Sequence, residues 1–305
     1  MNKKRVVITG VAGYIGTELT KLYSRDTSCE VVGVDNRFIP ERVAWMSEHG
    51  IKFIEKDLFS IRSILAEADV VIHLAGVTDV AYVSTQANPE QDALIRRIGI
   101  DGTMEVIRNT SDDCKIIFPS THVIFEGLQK ETLNIGEDFP PCPVLCYASV
   151  KRENEKQLLD SKKNVSILRL ASVYGYNENM RTKIVGNLFA KMASQNTPIK
   201  LFGGGVNYKP CVGVRDVARL MKRCEESYFC RPVIYNVVNE NLRVKEIADI
   251  CKKYNSQLDV QVTDDEVPNA GYTLSNKKLL DSGFVFEQNI DKEIHNMIYL
   301  WRNHG

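Results

Sequence analysis

The sequence lacks a surplus of either charge: Lys plus Arg number 39, Asp plus Glu number 39, and the formal net charge is +0. No global field therefore draws the chain to nucleic acid or to an anionic membrane, although a local basic pocket is still allowed. No apolar run approaches the ~20 residues of a membrane span. The start, Met1-Asn2-Lys3-Lys4-Arg5, leads straight into a strand pattern rather than a signal-peptide core, so a cytoplasmic location is expected. The eight cysteines (29, 114, 142, 146, 211, 224, 230 and 251) include no CxxC pair, which fits reduced, mostly buried thiols. Cys142 and Cys146 have no second pair or histidine nearby, so no metal site is expected. Internal repeats and low-complexity tracts are also missing. What remains, at 305 residues and 44% hydrophobic, is a globular chain with ample material for a core, in one large or two modest domains.

The most informative stretch runs from Arg5 to Gly16: an apolar run, Val6-Val7-Ile8, followed by Thr9-Gly10-Val11-Ala12-Gly13-Tyr14-Ile15-Gly16. The β-branched run reads as a strand buried on both faces, and the glycines at three-residue spacing let the backbone turn sharply into a helix. The helix N-terminus, with its unpaired N–H groups and positive dipole end, suits a pyrophosphate, and glycines let that group approach. A second apolar run, Val31-Val32-Gly33-Val34, ends on Asp35, nineteen residues after Gly16. A carboxylate there accepts hydrogen bonds from an adenosine ribose and repels a 2′-phosphate, which points to NAD over NADP. Arg37, two residues on, offers a cation that weakens this preference, and a loop-capping role for Asp35 is the plain alternative.

Along the first half, short apolar runs alternate with helical patterns, the signature of a parallel sheet covered on both faces. Strands are expected at Arg5 to Thr9, Glu30 to Asp35, Lys52 to Glu55, Val70 to Leu74, Lys115 to Phe118 and Val165 to Leu170. One long helix is expected from Pro89 to Thr110 and another from Cys146 to Ser161. The expected fold is α/β: a Rossmann-type doubly wound parallel sheet in residues 1–175, with a smaller C-terminal α/β substrate domain in residues 176–305. The two are interleaved by a returning strand near 233–238. The second part should hold helices around Ile184 to Ala193, Asp216 to Glu226, Val244 to Tyr254 and Asp291 to Trp301, and a short strand at Ile199 to Phe202 before Gly203-Gly204-Gly205.

Tyr147-Ala148-Ser149-Val150-Lys151 opens a helix, and i, i+4 spacing puts the phenol and the ammonium on one face. A neighbouring cation favours phenolate and can make a tyrosine a base, although such pairs also arise by chance. Upstream, Lys115 to Phe118 runs into Pro119-Ser120-Thr121-His122, which places hydroxyls at the carboxyl end of a strand, where the ligand crevice of such a sheet lies.

Taken together, Thr9-Gly10-x-x-Gly13-x-x-Gly16, Asp35, Asp57, His73-Leu74-Ala75-Gly76, Ser120-Thr121 and Tyr147-x-x-x-Lys151 resemble an extended short-chain dehydrogenase/reductase of the NAD-dependent epimerase/dehydratase family. The likeness continues through Leu168 to Gly175, Leu201 to Ala218 and Tyr235-Asn236-Val237, and so covers nearly the whole chain. It implies an NAD-dependent, epimerase-like enzyme acting on a nucleotide-activated sugar through a transient keto intermediate. Tyr147 would be the acid/base. Lys151 would hold the nicotinamide ribose and depress the Tyr147 pKa, and Thr121 would hydrogen-bond the reacting oxygen. Cofactor contacts would come from Gly10, Gly13, Tyr14, Ile15, Gly16, Asp35 and Asn36. Asp57 would bind the adenine, and Leu58, Leu74, Ala75 and Gly76 would line the same site. Substrate contacts would come from Thr121, His122, Ser172, Arg181 and Lys209, the last standing where the family usually has a diphosphate-binding Arg.

Three departures bear on the substrate: Lys209 for that Arg, which keeps charge but loses bidentate geometry, Ser172 for a common Asn, and Gly213 for a common His. His122-Val123 stands where sugar 4,6-dehydratases have Asp-Glu, which disfavours dehydration. The resemblance also implies a homodimer, through the Pro89 to Thr110 and Tyr147 helices. Rival readings are a 4-keto-sugar reductase or sugar dehydrogenase of the same family and, in another class, a non-catalytic NAD-sensing or scaffold protein. His73 reads best as a packed core residue. His122 should alternate to the far face, and Arg181 and Arg215 are as apt to be solvated or ion-paired as to touch phosphate.

Overall fold

The computed structural model of the protein describes residues 3–78, 88–225, 232–265, 267 and 269–304. In chain order the strands are β1 (Lys4–Thr9), β2 (Cys29–Asp35), β3 (Lys52–Glu55), β4 (Val70–His73), β5 (Lys115–Thr121), β6 (Thr132–Ile135) and β7 (Asn164–Leu170). There follow β8 (Ser172–Tyr174), β9 (Ile199–Leu201), β10 (Tyr208–Gly213), β11 (Val233–Val237), β12 (Glu240–Arg243), β13 (Val260–Val262) and β14 (Tyr272–Leu274). Two compact units emerge. The first comprises Met1–Ile124, Pro143–Leu168 and Ala218–Ile234; the second comprises Phe125–Cys142, Arg169–Val217 and Tyr235–Gly305.

A seven-stranded sheet runs in the order β11-β7-β5-β4-β1-β2-β3. The pairs β1–β2, β1–β4, β2–β3 and β4–β5 are parallel. The chain builds outward from β1 to β3, then returns to β4 on the other side of β1, so the strand order reverses there. At such a switch point connections leave in opposite directions and open a crevice at the carboxyl ends, here the ends of Thr9 and His73, which are paired in register. The doubly wound α/β fold expected from the sequence is the one observed.

Both faces of this sheet are dry, as its β-branched strands require. On one face Val7, Val32, Val34, Val71, Ile116, Phe118, Val165 and Ile167 pack with Leu58, Leu65, Val106, Ile107 and Leu158. Ile8, Ile72 and Ile117, offset by one residue, are fully buried on the other. Each such aliphatic contributes about 1.5–3 kcal/mol of burial, which makes the strand ends a rigid platform.

The long helix expected from Pro89 to Thr110 is instead three pieces: an α-helix Pro89–Arg96, a π-helical turn Arg97–Asp101, and an α-helix Gly102–Asn109. Glycine is needed at two of these positions for close packing, because a Cβ on Gly99 would lie 2.2 Å from the Val150 side chain and one on Gly102 would lie 2.6 Å from Leu58. The helix Cys146–Asp160 and the Leu58 turn thus approach closer than side chains permit. β5 is also longer than expected, extending through Pro119, Ser120 and Thr121. Its ladder to β4 ends at Ile117, two residues short of the proline that could not donate to it.

In the second unit, β10 pairs parallel with β8 and antiparallel with β12, and β9–β13 and β6–β14 form small parallel pairs. Its core packs the helices Val185–Ser194, Val244–Tyr254 and Ile290–His304 through Phe189, Ile247, Cys251, Ile294 and Met297. The helix expected from Asp216 to Glu226 is Val214–Arg223, and Glu226 lies outside the described residues. Seven cysteines are free thiols, four of them buried; Cys230 lies outside the described residues. Among the described residues no helix is long and apolar enough to cross a membrane.

Candidate active site

The three glycines after β1 do three different things. Gly10 adopts φ +69°, and a Cβ there would stand 2.8 Å from the backbone N of Ala75, so the loop lies directly against the end of β4. Gly13 is the N-cap of the helix Tyr14–Tyr23, in extended geometry and without a side-chain cap. Gly16, inside that helix, presses on Val11, whose carbonyl oxygen a Cβ would meet at 2.4 Å. Thr9 locks the neighbouring turn: its Oγ1 accepts from the Ala75 N–H at 3.2 Å, and its carbonyl accepts from the Leu74 N–H at 3.1 Å. Gly76 is exposed, with open space where its Cβ would be. An uncapped helix N-terminus beside two side-chain-free positions fits a dinucleotide pyrophosphate, because the first-turn N–H groups have no intrahelical partner. Tyr14 is buried and Ile15 half-buried beneath this loop.

Asp35, at the tip of β2, is buried. Its Oδ2 accepts from the Ala12 N–H at 2.9 Å, and its Oδ1 accepts from the Arg37 N–H at 3.0 Å. The carboxylate therefore latches the glycine loop, and it retains lone pairs for a diol. The Arg37 guanidinium, largely exposed, also reaches Asp35 at 3.5 Å and lies 3.8 Å from where a Gly13 Cβ would be. Asn36 is exposed. Asp57 is exposed too, and caps the Leu58–Ser60 turn by accepting from the Phe59 N–H at 3.0 Å, while Leu58 is buried in the core.

Tyr147 and Lys151 occupy one face of the helix Cys146–Asp160, Tyr147 half-buried and Lys151 buried. Lys151 Nζ donates to the Pro119 carbonyl at 2.7 Å and sits 4.3 Å from the Phe118 ring centroid and 5.9 Å from that of Tyr147. Burial pushes the Lys151 ammonium down to about 7, against which the nearby Glu155 carboxylate acts. Thr121, two residues beyond Pro119, is buried; its Oγ1 accepts from the Val123 N–H at 3.3 Å and keeps a proton to donate. Thr121, Tyr147 and Lys151 thus belong to one rigid unit at the carboxyl end of the sheet. A hydroxyl donor, a phenol and a cation of adjustable charge can together move a proton at a carbinol oxygen.

His73 is the core residue the sequence indicated. It is buried between Thr9 Oγ1 at 2.8 Å and Thr103 Oγ1 at 3.4 Å, and desolvation pushes it down to about 3, so it stays neutral. His122 departs from the expectation of strand alternation: β5 stops at Thr121, and His122 opens a 3₁₀ turn, His122–Phe125, buried rather than carried to a far face.

The remaining expected substrate residues lie in the second unit. Ser172 is buried in β8 opposite Cys211, and Arg181 is half-buried, its carbonyl held by the Asn187 amide at 3.0 Å. Lys209, in β10, pairs with Glu126 at 3.5 Å, with both side chains mostly buried. Arg215 pairs with Glu293. Gly213 has a local reason: a Cβ there would lie 2.3 Å from the Gln288 amide oxygen, which accepts from the backbone N–H groups of Arg215 at 2.6 Å and Asp216 at 3.2 Å. Sequence reasoning missed Glu126 and Glu155. Glu155 had a signal, falling four residues after Lys151 and so on the same helical face; Glu126 had none, being 83 residues from its partner.

An α/β sheet with a glycine cradle at its switch point, and a Tyr–Lys helix beside it, defines a dinucleotide-dependent enzyme class. A model of the NAD dependent epimerase/dehydratase family matches residues 6–237, and the chain belongs to that family, which makes NAD its cofactor. It is 24% identical over 230 residues, 70% of each chain, to an uncharacterized UDP-glucose epimerase, YtcB, of Bacillus subtilis. A UDP-glucuronic acid 4-epimerase of Bacillus cereus, solved as a tyrosine-to-phenylalanine mutant with UDP-4-deoxy-4-fluoro-glucuronic acid and NAD, superposes with TM-score 0.84 at 18% identity. That match covers 98% of this chain and 99% of the other. A dTDP-glucose 4,6-dehydratase of Bacillus anthracis, in complex with NAD, superposes with TM-score 0.82 at 15% identity over 99% and 97%. These likenesses establish the fold. They do not separate epimerase from dehydratase, so the expectation against dehydration rests on His122 and Val123 alone.

Proposed function

We propose that the protein epimerises a nucleotide-activated sugar through a transient keto intermediate, with NAD taking up and returning the hydride. The observation that carries this reading is the placement of Tyr147, Lys151 and Thr121 in one unit, with Lys151 bonded two residues before Thr121. Tyr147 takes the proton of the sugar hydroxyl and later returns it. Lys151 supplies the positive charge that favours the phenolate and holds the cofactor ribose. Thr121 donates to the reacting oxygen and fixes its direction. The first unit holds NAD, with Asp35 on the adenosine ribose. The second presents Ser172, Arg181 and Lys209 to the nucleotide and sugar, with Lys209 meeting the diphosphate once Glu126 yields it. His122 and Val123 supply no carboxyl pair for the proton transfers of dehydration, which favours epimerisation. The assembly we expect is a homodimer; Leu94, 47% exposed, and Leu159, 36% exposed, lie on the helices that would pair.

The test is to incubate the protein with NAD and a panel of UDP- and dTDP-sugars, following product by NMR and NADH by absorbance. Epimerised sugar without net NADH is the expected result. Stoichiometric NADH would replace epimerase by dehydrogenase, a 4-keto-6-deoxy product would restore the dehydratase, and NAD binding without any turnover would leave a sensing role.

A further inference from the structure

Glu155 is 0% exposed, yet it carries a carboxylate that the mechanism above does not use. A buried charge persists only where it is paired and hydrogen-bonded. Its Oε1 accepts from Ser120 Oγ at 2.6 Å, and its Oε2 accepts from Arg152 Nη1 at 3.1 Å, with Arg152 reaching out toward solvent. Lys151, one helical turn earlier, donates to the Pro119 carbonyl at 2.7 Å. Two consecutive residues of β5, Pro119 and Ser120, are therefore held by groups on two consecutive turns of one helix, immediately before Thr121.

We propose that Glu155 is a positioning residue of this site, fixing, through Ser120, the strand end that presents Thr121 and setting its carboxyl group one helical turn from Lys151. The inference rests on the roles given above to Lys151 and Thr121. Burial outweighs the nearby carboxylate and leaves Lys151 at about 7, and Glu155 is the group that acts in the opposite direction. The other titratable groups around Lys151 do not replace it. Tyr147 shares its helix, Arg152 is a cation already engaged by Glu155, and His73 on β4 is neutral near physiological pH. On the packed helix Pro89–Arg96, Asp92 and Arg96 act at Cys146, more than a turn before Lys151. Without the Glu155 charge the ammonium loses its proton at lower pH.

The experiment compares Glu155→Gln, which keeps an acceptor for the Ser120 hydroxyl but removes the charge, with the parent and with Glu155→Asp. NAD affinity and kcat are followed from about pH 6 to about pH 9. In the Gln variant both the weakening of NAD binding and the basic limb of kcat should move down by about one pH unit; in the Asp variant, which keeps a carboxylate, they should move by less than half of that. A Gln variant that melts at lower temperature but whose profiles superpose on the parent's would overturn the proposal and leave Glu155 a packing group. Should the Gln variant fail to fold, Ser120→Ala is read in its place: kcat lowered at every pH with NAD affinity kept supports the strand-end role, and kcat equal to the parent's overturns it. Lys151→Met separates the two readings. If it abolishes turnover while the Glu155 variants leave the profiles unmoved, the mechanism stands and this inference falls. If it turns over at the parent rate, both fall.

Discussion

The glycine loop of the first unit and strand β10 of the second are both places where an anion is expected, and they are built by opposite means. At the loop, the cradle is backbone: Gly10 at φ +69° against Ala75, Gly13 capping a helix without a side chain, and Asp35 latching the Ala12 N–H. At β10 the charge is a side chain, Lys209, already paired with Glu126 at 3.5 Å. A backbone site cannot be withdrawn and is encoded locally, so three-residue glycine spacing reveals it. A side-chain site is adjustable, and its strength depends on a partner brought in from far along the chain.

That contrast predicts an order of effects. Gly10→Ala should be the most damaging to the fold, since it combines a left-handed φ with a contact to backbone that cannot move aside; ~2–5 kcal/mol of stability should be lost in denaturant titration, together with NAD affinity. A variant as stable as the parent and equally able to bind NAD would break the claim that the cradle is set by backbone. At β10 the response should be graded and reversible. Lys209→Ala should raise KM for a nucleotide sugar by a factor worth ~1.5–3 kcal/mol and make it less salt-dependent. Glu126→Gln should lower KM by a factor worth ~1 kcal/mol or less, because the competing carboxylate charge is gone. If neither changes KM, the diphosphate is held elsewhere, and Arg181 is tested next.

Lys151 sharpens the comparison from the side of stability. Its folded pKa, about 7, lies below the ordinary 10.5, so burying it destabilises the fold wherever the unfolded chain is protonated. The penalty is complete below about pH 7 and fades as pH rises toward 10.5. Lys151→Met should accordingly raise stability by ~1–3 kcal/mol near neutral pH after its bond to Pro119 is lost, and by less near pH ~10, measured by urea unfolding at both. Equal or reduced stability at neutral pH would contradict a strained ammonium. The smallest effect is expected at Asp35→Asn, which retains an acceptor for the Ala12 N–H. It should narrow the preference for NAD over NADP by ~1 kcal/mol or less in calorimetry, and an unaltered protein that prefers NADP would make Arg37 a phosphate ligand.

Legibility follows the same divide. The strands Lys52–Glu55 and Val70–His73, the glycine turn and the Tyr147–Lys151 face were readable because period and spacing are local properties. The π-helical turn at Arg97–Asp101 was not, since what makes Gly99 necessary is Val150, a residue of another helix. Pro119 hid the true end of β5, because a proline reads as a strand stop unless the ladder beside it has already ended. In the second unit the small sheets β6–β14 and β9–β13 join segments far apart, and Gly213 is explained only by Gln288, which no spacing rule connects to it. Hydrogen bonds across such distances are a property of the fold, not of any window of sequence.

The central claim is that Tyr147 moves the proton at the sugar hydroxyl, and one substitution tests it most directly. Tyr147→Phe keeps the ring in its half-buried place on the helix and removes only the phenolic oxygen. NAD affinity by calorimetry should stay close to that of the parent, while turnover of any accepted nucleotide sugar falls by ~10²-fold or more, the scale of a lost general acid–base group. A Tyr147→Phe protein that binds NAD and epimerises that sugar at the parent rate would contradict the account.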